Sequence, residues 1–412
     1  MRTDLHGKME EAWSYLWNKL FYEETGLFYD YLTSREHEKR FSHLPQSDEI
    51  EKQFPNPCGW GTGMEDSMLN AGSVMEVLRL RKEMAADKES LSLAKKVLGG
   101  MLRCTYSHGV PGFVARSISP WDKRSCYANS SRDQFTLCVY GAWRFLRSFQ
   151  DADEKDLKDA RQLLVDIATY CELVVTPENA DNLLRLDGKP GLVCHMLDVR
   201  VHEIMRLPMF YAAAWDASGD HHWFDLYRRY AIPGIEENLR LDPAWPWWDV
   251  EFSQMQLSLA LLAEVESDDE LRGKYLRAMF LTAELSNKYF EAEIRKGKTF
   301  SGDWSSLNHN WRQMPLALCG TTIQNPEQSS LYGGYAYVQP QFPSSYMDPY
   351  SILRALGNLM YTQMLCQDWT PKQEVLESFL SLAAKPDYKT HGSDGPINIL
   401  HGYWIGRYRK VC

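Results

Sequence analysis

The sequence has no block of like charge, no Cys-x-x-Cys pair and no stretch near the ~20 apolar residues that span a bilayer. Its 55 acidic residues against 45 basic give a formal net charge of −10. That sign is wrong for wrapping nucleic acid or an anionic membrane, so neither is expected as a partner. Without Cys-x-x-Cys there is no zinc-ribbon or dithiol signature. The nine cysteines are scattered from Cys58 to Cys412, several inside apolar helical patterns where a free thiol acts as a small hydrophobe. That usage favours a reducing, cytoplasmic compartment. The start, Met1-Arg-Thr-Asp-Leu-His, lacks the apolar core of a secretory signal, with a periplasmic setting as the alternative if a signal has been removed. His195, His202 and His309 do not flank a carboxylate at helical spacing, so no metal is expected. The glycine-rich run 59–63 lacks the Lys-Ser/Thr ending of a phosphate loop, and no Gly-x-Ser-x-Gly elbow occurs. No cofactor is expected.

What is present is a globular chain of 412 residues, 44% hydrophobic and 24% charged, long enough to bury a large core. It carries 14 Trp and 22 Tyr. Many must be core. An indole also stacks on the C–H face of a pyranose while its N–H bonds a hydroxyl, so sugar binding is one use of the surplus.

Apolar residues recur at i, i+3, i+4 and i+7. They predict helices near 5–22, 65–83, 87–106, 132–150, 154–175, 201–218, 222–235, 249–267, 269–292, 309–318, 346–366 and 371–384. Short links alternate with long ones, the latter over 23–64, 107–131, 176–200, 241–248, 293–308 and 319–345. Short links make antiparallel neighbours, which puts every long link on one side. About six helical hairpins then close into an all-α, single-domain (α/α)6 toroid over residues 1–412. Helices after long links read apolar all round, as inner helices should, whereas the others carry a charged stripe. The alternation falters near the end, where either a helix in 319–345 is hidden or the ring closes irregularly. An open α-solenoid is the other architecture, though no fixed repeat period appears.

The helices after long links open on polar residues: Gly59 to Ser67, Tyr127 to Gln134, Arg200 to Glu203, Trp245 to Glu251, Asp303 to Arg312, and Ser344 to Asp348. Any one of these suits helix capping. Six together, three of them carrying Trp, point to a pocket. Asp66 and Asp133 open neighbouring inner helices, and glycoside chemistry needs two opposed carboxyls, one to donate a proton and one to activate water or stabilise charge. Glu65, Trp60, Arg132, His202, Trp248, Asp249, Trp304 and His309 are the candidate substrate contacts. Arg116, Arg132, Arg200, Arg206 and Arg312 could meet an acidic sugar or pair with the acidic excess.

On Gly63-Met-Glu-Asp66 and Ser130-Ser-Arg-Asp133-Gln134, the chain resembles the six-hairpin glycosidases, nearest to unsaturated glucuronyl and rhamnogalacturonyl hydrolases. The resemblance implies a toroid in which Asp133 is the acid/base and Asp66 its partner, acting on the C4=C5 enol ether of an unsaturated uronic acid. It sets Trp248 and His202 among the sugar contacts. Arg132 before Asp133, and Glu65 before Asp66, depart from that family's pattern and leave saturated uronosides or neutral sugars open. The expected function is therefore a glycoside hydrolase for short oligosaccharides. A sugar epimerase using His202, His309 and His401, a polysaccharide lyase, and a non-catalytic sugar-binding protein are the alternatives.

Overall fold

A computed structural model describes residues 2–85, 89–319 and 337–412. The class is all-α. Helix α1 (Arg2–Tyr15) runs into one π turn, and α2 (Ser47–Glu51) is a single short helix. Then come pairs: α3 (Ser67–Ala85) with α4 (Glu89–Tyr106), α5 (Arg132–Ser148) with α6 (Glu154–Val174), α7 (Arg206–Ser218) with α8 (His221–Asn238), and α9 (Asp249–Val265) with α10 (Asp269–Thr299). The last elements are α11 (Ser344–Leu365), α12 (Gln373–Ala383) and α13 (Gly395–Tyr408), which packs on α1. Among the described residues, three two-stranded antiparallel pieces occupy long connections: β1 (Phe21–Tyr22) with β2 (Leu27–Phe28), β3 (Asn182–Leu184) with β4 (Pro190–His195), and β5 (Leu316–Cys319) with β6 (Tyr337–Pro340).

The helices that follow long connections touch one another in turn. Helix α3 packs on α5, α5 on α7, α7 on α9, α9 on α11, α11 on α13, and α13 on α3. Their burial matches: every residue is buried from Gln134 to Leu146 in α5, from Phe252 to Ala263 in α9 and from Gly395 to Gly406 in α13. Helix α6 instead buries a stripe, Leu157, Ala160, Leu163, Leu164 and Ile167, the pattern of a helix with one wet face. Two crossings depend on glycine. A Cβ on Gly72 of α3 would sit 2.2 Å from the Leu137 carbonyl oxygen of α5, and one on Gly357 of α11 would sit 2.1 Å from the Asn398 carbonyl oxygen of α13.

Four expectations need correction. Residues 309–318 are not a helix: Trp311–Gln313 form one 3-10 turn, Pro315 ends it, and the alternating Leu-Ala-Leu-Cys run becomes β5. Helix α10 runs on to Thr299, so the connection expected from 293 begins at 300. Helix α7 begins at Arg206 rather than 201, with Pro208 in its first turn, where a missing N–H costs nothing. The helix needed to restore the alternation is α13, which the sequence reading did not find. Residues 320–336 of the suspected stretch lie outside the described residues. Among the described residues, no helix is long and apolar enough to cross a membrane.

Candidate active site

Polar contacts link the buried helices near their N-terminal ends, except in α11, whose contacting residues lie mid-helix. Asn70 of α3 donates to Asp394, just before α13, at 3.0 Å. Gln134 of α5 donates to Asp66, just before α3, at 2.9 Å. Arg206 of α7 donates to Asp133 of α5 at 2.5 Å. His202, ahead of α7, lies 3.3 Å from Glu251 of α9. Asp249 of α9 accepts from Arg354 of α11 at 3.2 and 3.3 Å and from Asn358 at 2.8 Å.

The densest part is acidic. Gly59, Gly61 and Gly63 all have positive φ, which lets the loop turn tightly enough for the Gly61 N–H to bond the Glu65 carboxylate at 2.6 Å. Asp30, from the connection after β2, is buried and accepts the backbone N–H groups of Glu65 (2.8 Å) and Asp66 (3.1 Å) on its two oxygens. Its carbonyl accepts the Asp394 N–H at 2.9 Å. One aspartate thus ties two acidic junctions together. Arg116 donates to the Glu65 carbonyl at 3.0 Å and lies 3.7 Å from the Asp66 carboxylate. Its guanidinium sits over the Trp60 ring, 5.4 Å from the centroid.

Four carboxyls this close cannot all ionise cheaply. Burial, and then the charge of Asp66, push Glu65 up to about 8; the Gly61 N–H and Arg116 offset only part of this. Burial lifts Asp394 to about 7 against the pull of the Asn70 hydrogen bond. Asp30 is raised by burial and by Asp66, Glu65 and Asp394. Asp66 is raised by burial, with Arg116 opposing and Asp133 adding to the rise. Asp394 Oδ1 is buried with no hydrogen-bond partner among the described residues. The cluster therefore stores protons at neutral pH, while the Asp133 side chain, 41% exposed, opens toward solvent beside it. A proton store next to an open carboxylate is an acid–base arrangement.

Most of the expected contacts gather here, and two do not. Arg132 pairs with Glu203 and donates to the His195 carbonyl at 2.6 Å, so it braces the β4–α7 connection. Burial opposes ionisation of Glu203, yet Arg132, His202 and Arg206 hold it well below the usual carboxylate range. His202 is buried edge-on against Trp247, centroids 5.5 Å apart. Trp60 packs against Tyr337 and Arg116. Trp248 is 65% exposed at the start of α9. Trp304 instead packs on Phe300 and under Lys385, and His309 is exposed, its N–H bonded to the Asn308 side chain. Arg312 is spent on Glu49 and the His43 carbonyl, and Arg200 lies over Trp245, 4.2 Å from the ring centre. His401 is buried in α13 and stacked on Tyr361, and among the described residues no contact joins His202, His309 and His401. Sequence reading missed Asp30 and Asp394. Asp394 carried a signal, Asp-Gly-Pro before an apolar run, the pattern of a helix start. Among the described residues, no group of three His, Cys, Asp or Glu is arranged to hold a metal ion. Compared with known protein families and with curated proteins, the chain matches none.

Proposed function

We propose that the chain is a six-hairpin α/α toroid acting as a glycoside hydrolase on short, acidic oligosaccharides. The cyclic order of helix contacts supports the toroid. One contiguous apolar cluster from Met9 to Ile405 supports a single domain. The observation that carries the activity is the pairing of Asp66, a partly buried carboxyl with a raised pKa, with Asp133, an open carboxylate fixed by Arg206, at the starts of adjacent helices. In this reading Asp66, fed by the proton-holding cluster behind it, protonates the departing oxygen. Asp133 activates the water or shields the positive charge that develops on the ring. That reverses the roles the family resemblance implies. Arg116 and Arg206 are the cations nearest these carboxyls and suit the carboxylate of a uronic acid. Free thiols at Cys58, Cys104, Cys126, Cys138, Cys171, Cys194 and Cys366 fit work in the cytoplasm on imported fragments.

The test is incubation with lyase-generated unsaturated disaccharides and with saturated aryl uronides. Loss of the conjugated absorbance, or release of the aryl group, is the readout. Both Asp66→Asn and Asp133→Asn should lose roughly 100-fold or more on ordinary glycosides. An activated aryl leaving group, which needs no proton, should rescue Asp66→Asn alone. Rescue of Asp133→Asn instead would restore the roles implied by the resemblance. No turnover of any member would refute the hydrolase reading.

A further inference from the structure

Asp133 is followed in α5 by Gln134, whose side chain is fully buried against the start of α3. Its amide makes three hydrogen bonds, all to that end of α3. Oε1 accepts the Leu69 N–H at 3.0 Å, a first-turn amide that the helix itself leaves unpaired. Nε2 donates to the Glu65 carbonyl at 3.1 Å and to Asp66 Oδ1 at 2.9 Å. The Leu69 N–H can only donate and the Glu65 carbonyl can only accept, so the direction of the amide is settled by its partners. A flipped amide would set N–H against N–H and oxygen against oxygen.

The consequence falls on Asp66. Arg116 approaches the same oxygen, 3.7 Å from Oδ1. Among the described residues, Oδ2 accepts no hydrogen bond, and the Asp66 side chain is 29% exposed. An oxygen that already accepts from an amide and faces a guanidinium is the poorer place for a proton. The acid form of Asp66 therefore carries its proton on Oδ2.

We propose that Gln134 is the positioning residue of the acid: it claims Asp66 Oδ1, leaves Oδ2 to carry the transferable proton, and ties that carboxyl to the helix bearing Asp133. Helix α5 thus supplies one carboxylate and the group that orients the other. The role in turnover rests on the glycoside reading, whereas the hold on Asp66 does not.

The test begins without substrate. The full chain is isotope-labelled at the aspartate carboxyl carbons, and the Asp66 resonance is identified by its loss in Asp66→Asn. Gln134→Met keeps the length of the side chain and none of its hydrogen bonds. It should raise the midpoint of the Asp66 titration by about one pH unit, the effect of losing one hydrogen bond to the charged form. The other groups whose charge bears on Asp66 are the carboxyls of Asp30, Glu65, Asp133 and Asp394, the guanidiniums of Arg116 and Arg354, and the Tyr350 hydroxyl. All are present in both chains. On ordinary glycosides kcat should fall about tenfold with KM little changed, and an activated aryl leaving group should remove most of that defect. A merely structural lesion would slow both substrates alike and leave the midpoint in place. Where Gln134→Met does not fold, Gln134→Glu keeps the shape and the oxygen for Leu69 but turns the donor facing Asp66 into an acceptor, and the same upward shift is expected. A midpoint that stays or falls in the folded variant would overturn the proposal. If no glycoside is turned over but the midpoint rises, the hydrolase reading fails and the hold on Asp66 stands. If glycosides are turned over and the defect is as large on the activated substrate, the positioning of the acid fails alone.

Discussion

Glu65 and Asp394 would be ionised at neutral pH in the unfolded chain, yet burial lifts them to about 8 and about 7 in the fold. Raised carboxyls make stability fall as pH rises. Their contribution is intact below the unfolded values, 4.5 and 3.8, and is lost progressively up to the folded ones. Glu65→Gln, which keeps an oxygen for the Gly61 N–H, should match wild type near pH 4.5 and melt higher than it at pH 8.5. Thermal melts at the two pH values check this, and equal melting at pH 8.5 would contradict it. Asp30→Asn, which swaps an acceptor for a donor facing two N–H groups, should disorder both acidic junctions and depress turnover well beyond its effect on stability. Asp66 and Asp133 could be read from the sequence because each begins a recognisable helix. Asp30 could not, because it sits inside the apolar run Leu27-Phe-Tyr-Asp-Tyr-Leu, and only the fold brings its oxygens to the Glu65 and Asp66 backbone.

Most helices were legible to within a few residues because a half-buried helix writes its period into the sequence. Helix α13 did not, for a physical reason. Its run Gly-Pro-Ile-Asn-Ile-Leu-His-Gly-Tyr-Trp-Ile-Gly is buried on all sides like α5 and α9, but unlike them it is broken by three glycines and a proline among β-branched residues, all weak helix formers. Tertiary packing makes it a helix. The opposite error, a helix over 309–318, came from apolar residues that serve β5 and the buried Trp311, whose indole donates to the His43 carbonyl at 2.8 Å. Trp304 and His309 were assigned to the site on the strength of that false helix start. At the α11–α13 crossing, Gly357→Ala should force the helices apart and cost about 1–3 kcal/mol, as overpacking does. The shift in denaturant midpoint measures it, and an unchanged midpoint would mean the crossing is looser than described.

Closure is a property of the whole chain. Helix α13 packs on α1, α3 and α11, so the last described helix touches the beginning of the chain. In an open solenoid a terminal helix can be removed with local damage only, because each unit contacts its neighbours alone. Here, deleting residues 395–412 should strip one face from α3 and α11 together and prevent folding, seen as loss of cooperative unfolding. A folded truncated chain would favour the open form. Buried charge adds to this interdependence. Glu76 of α3 is fully buried and held by Arg79 and Arg144, 2.7 and 3.4 Å away. Glu76→Ala should cost about 3 kcal/mol, because it removes the fully buried carboxylate and leaves Arg79 and Arg144 with only their more exposed partners, Glu83 and Glu264. The proposed hydrolase requires this ring of helices to present Asp66 and Asp133 to a glycosidic bond. Its most direct test is the rate of reducing-end release from acidic disaccharides, unsaturated and saturated, by wild type and by Asp133→Asn. Wild type should turn over at least one disaccharide and the variant should lose that turnover; no release from any of them, or release that Asp133→Asn leaves intact, would refute the hydrolase.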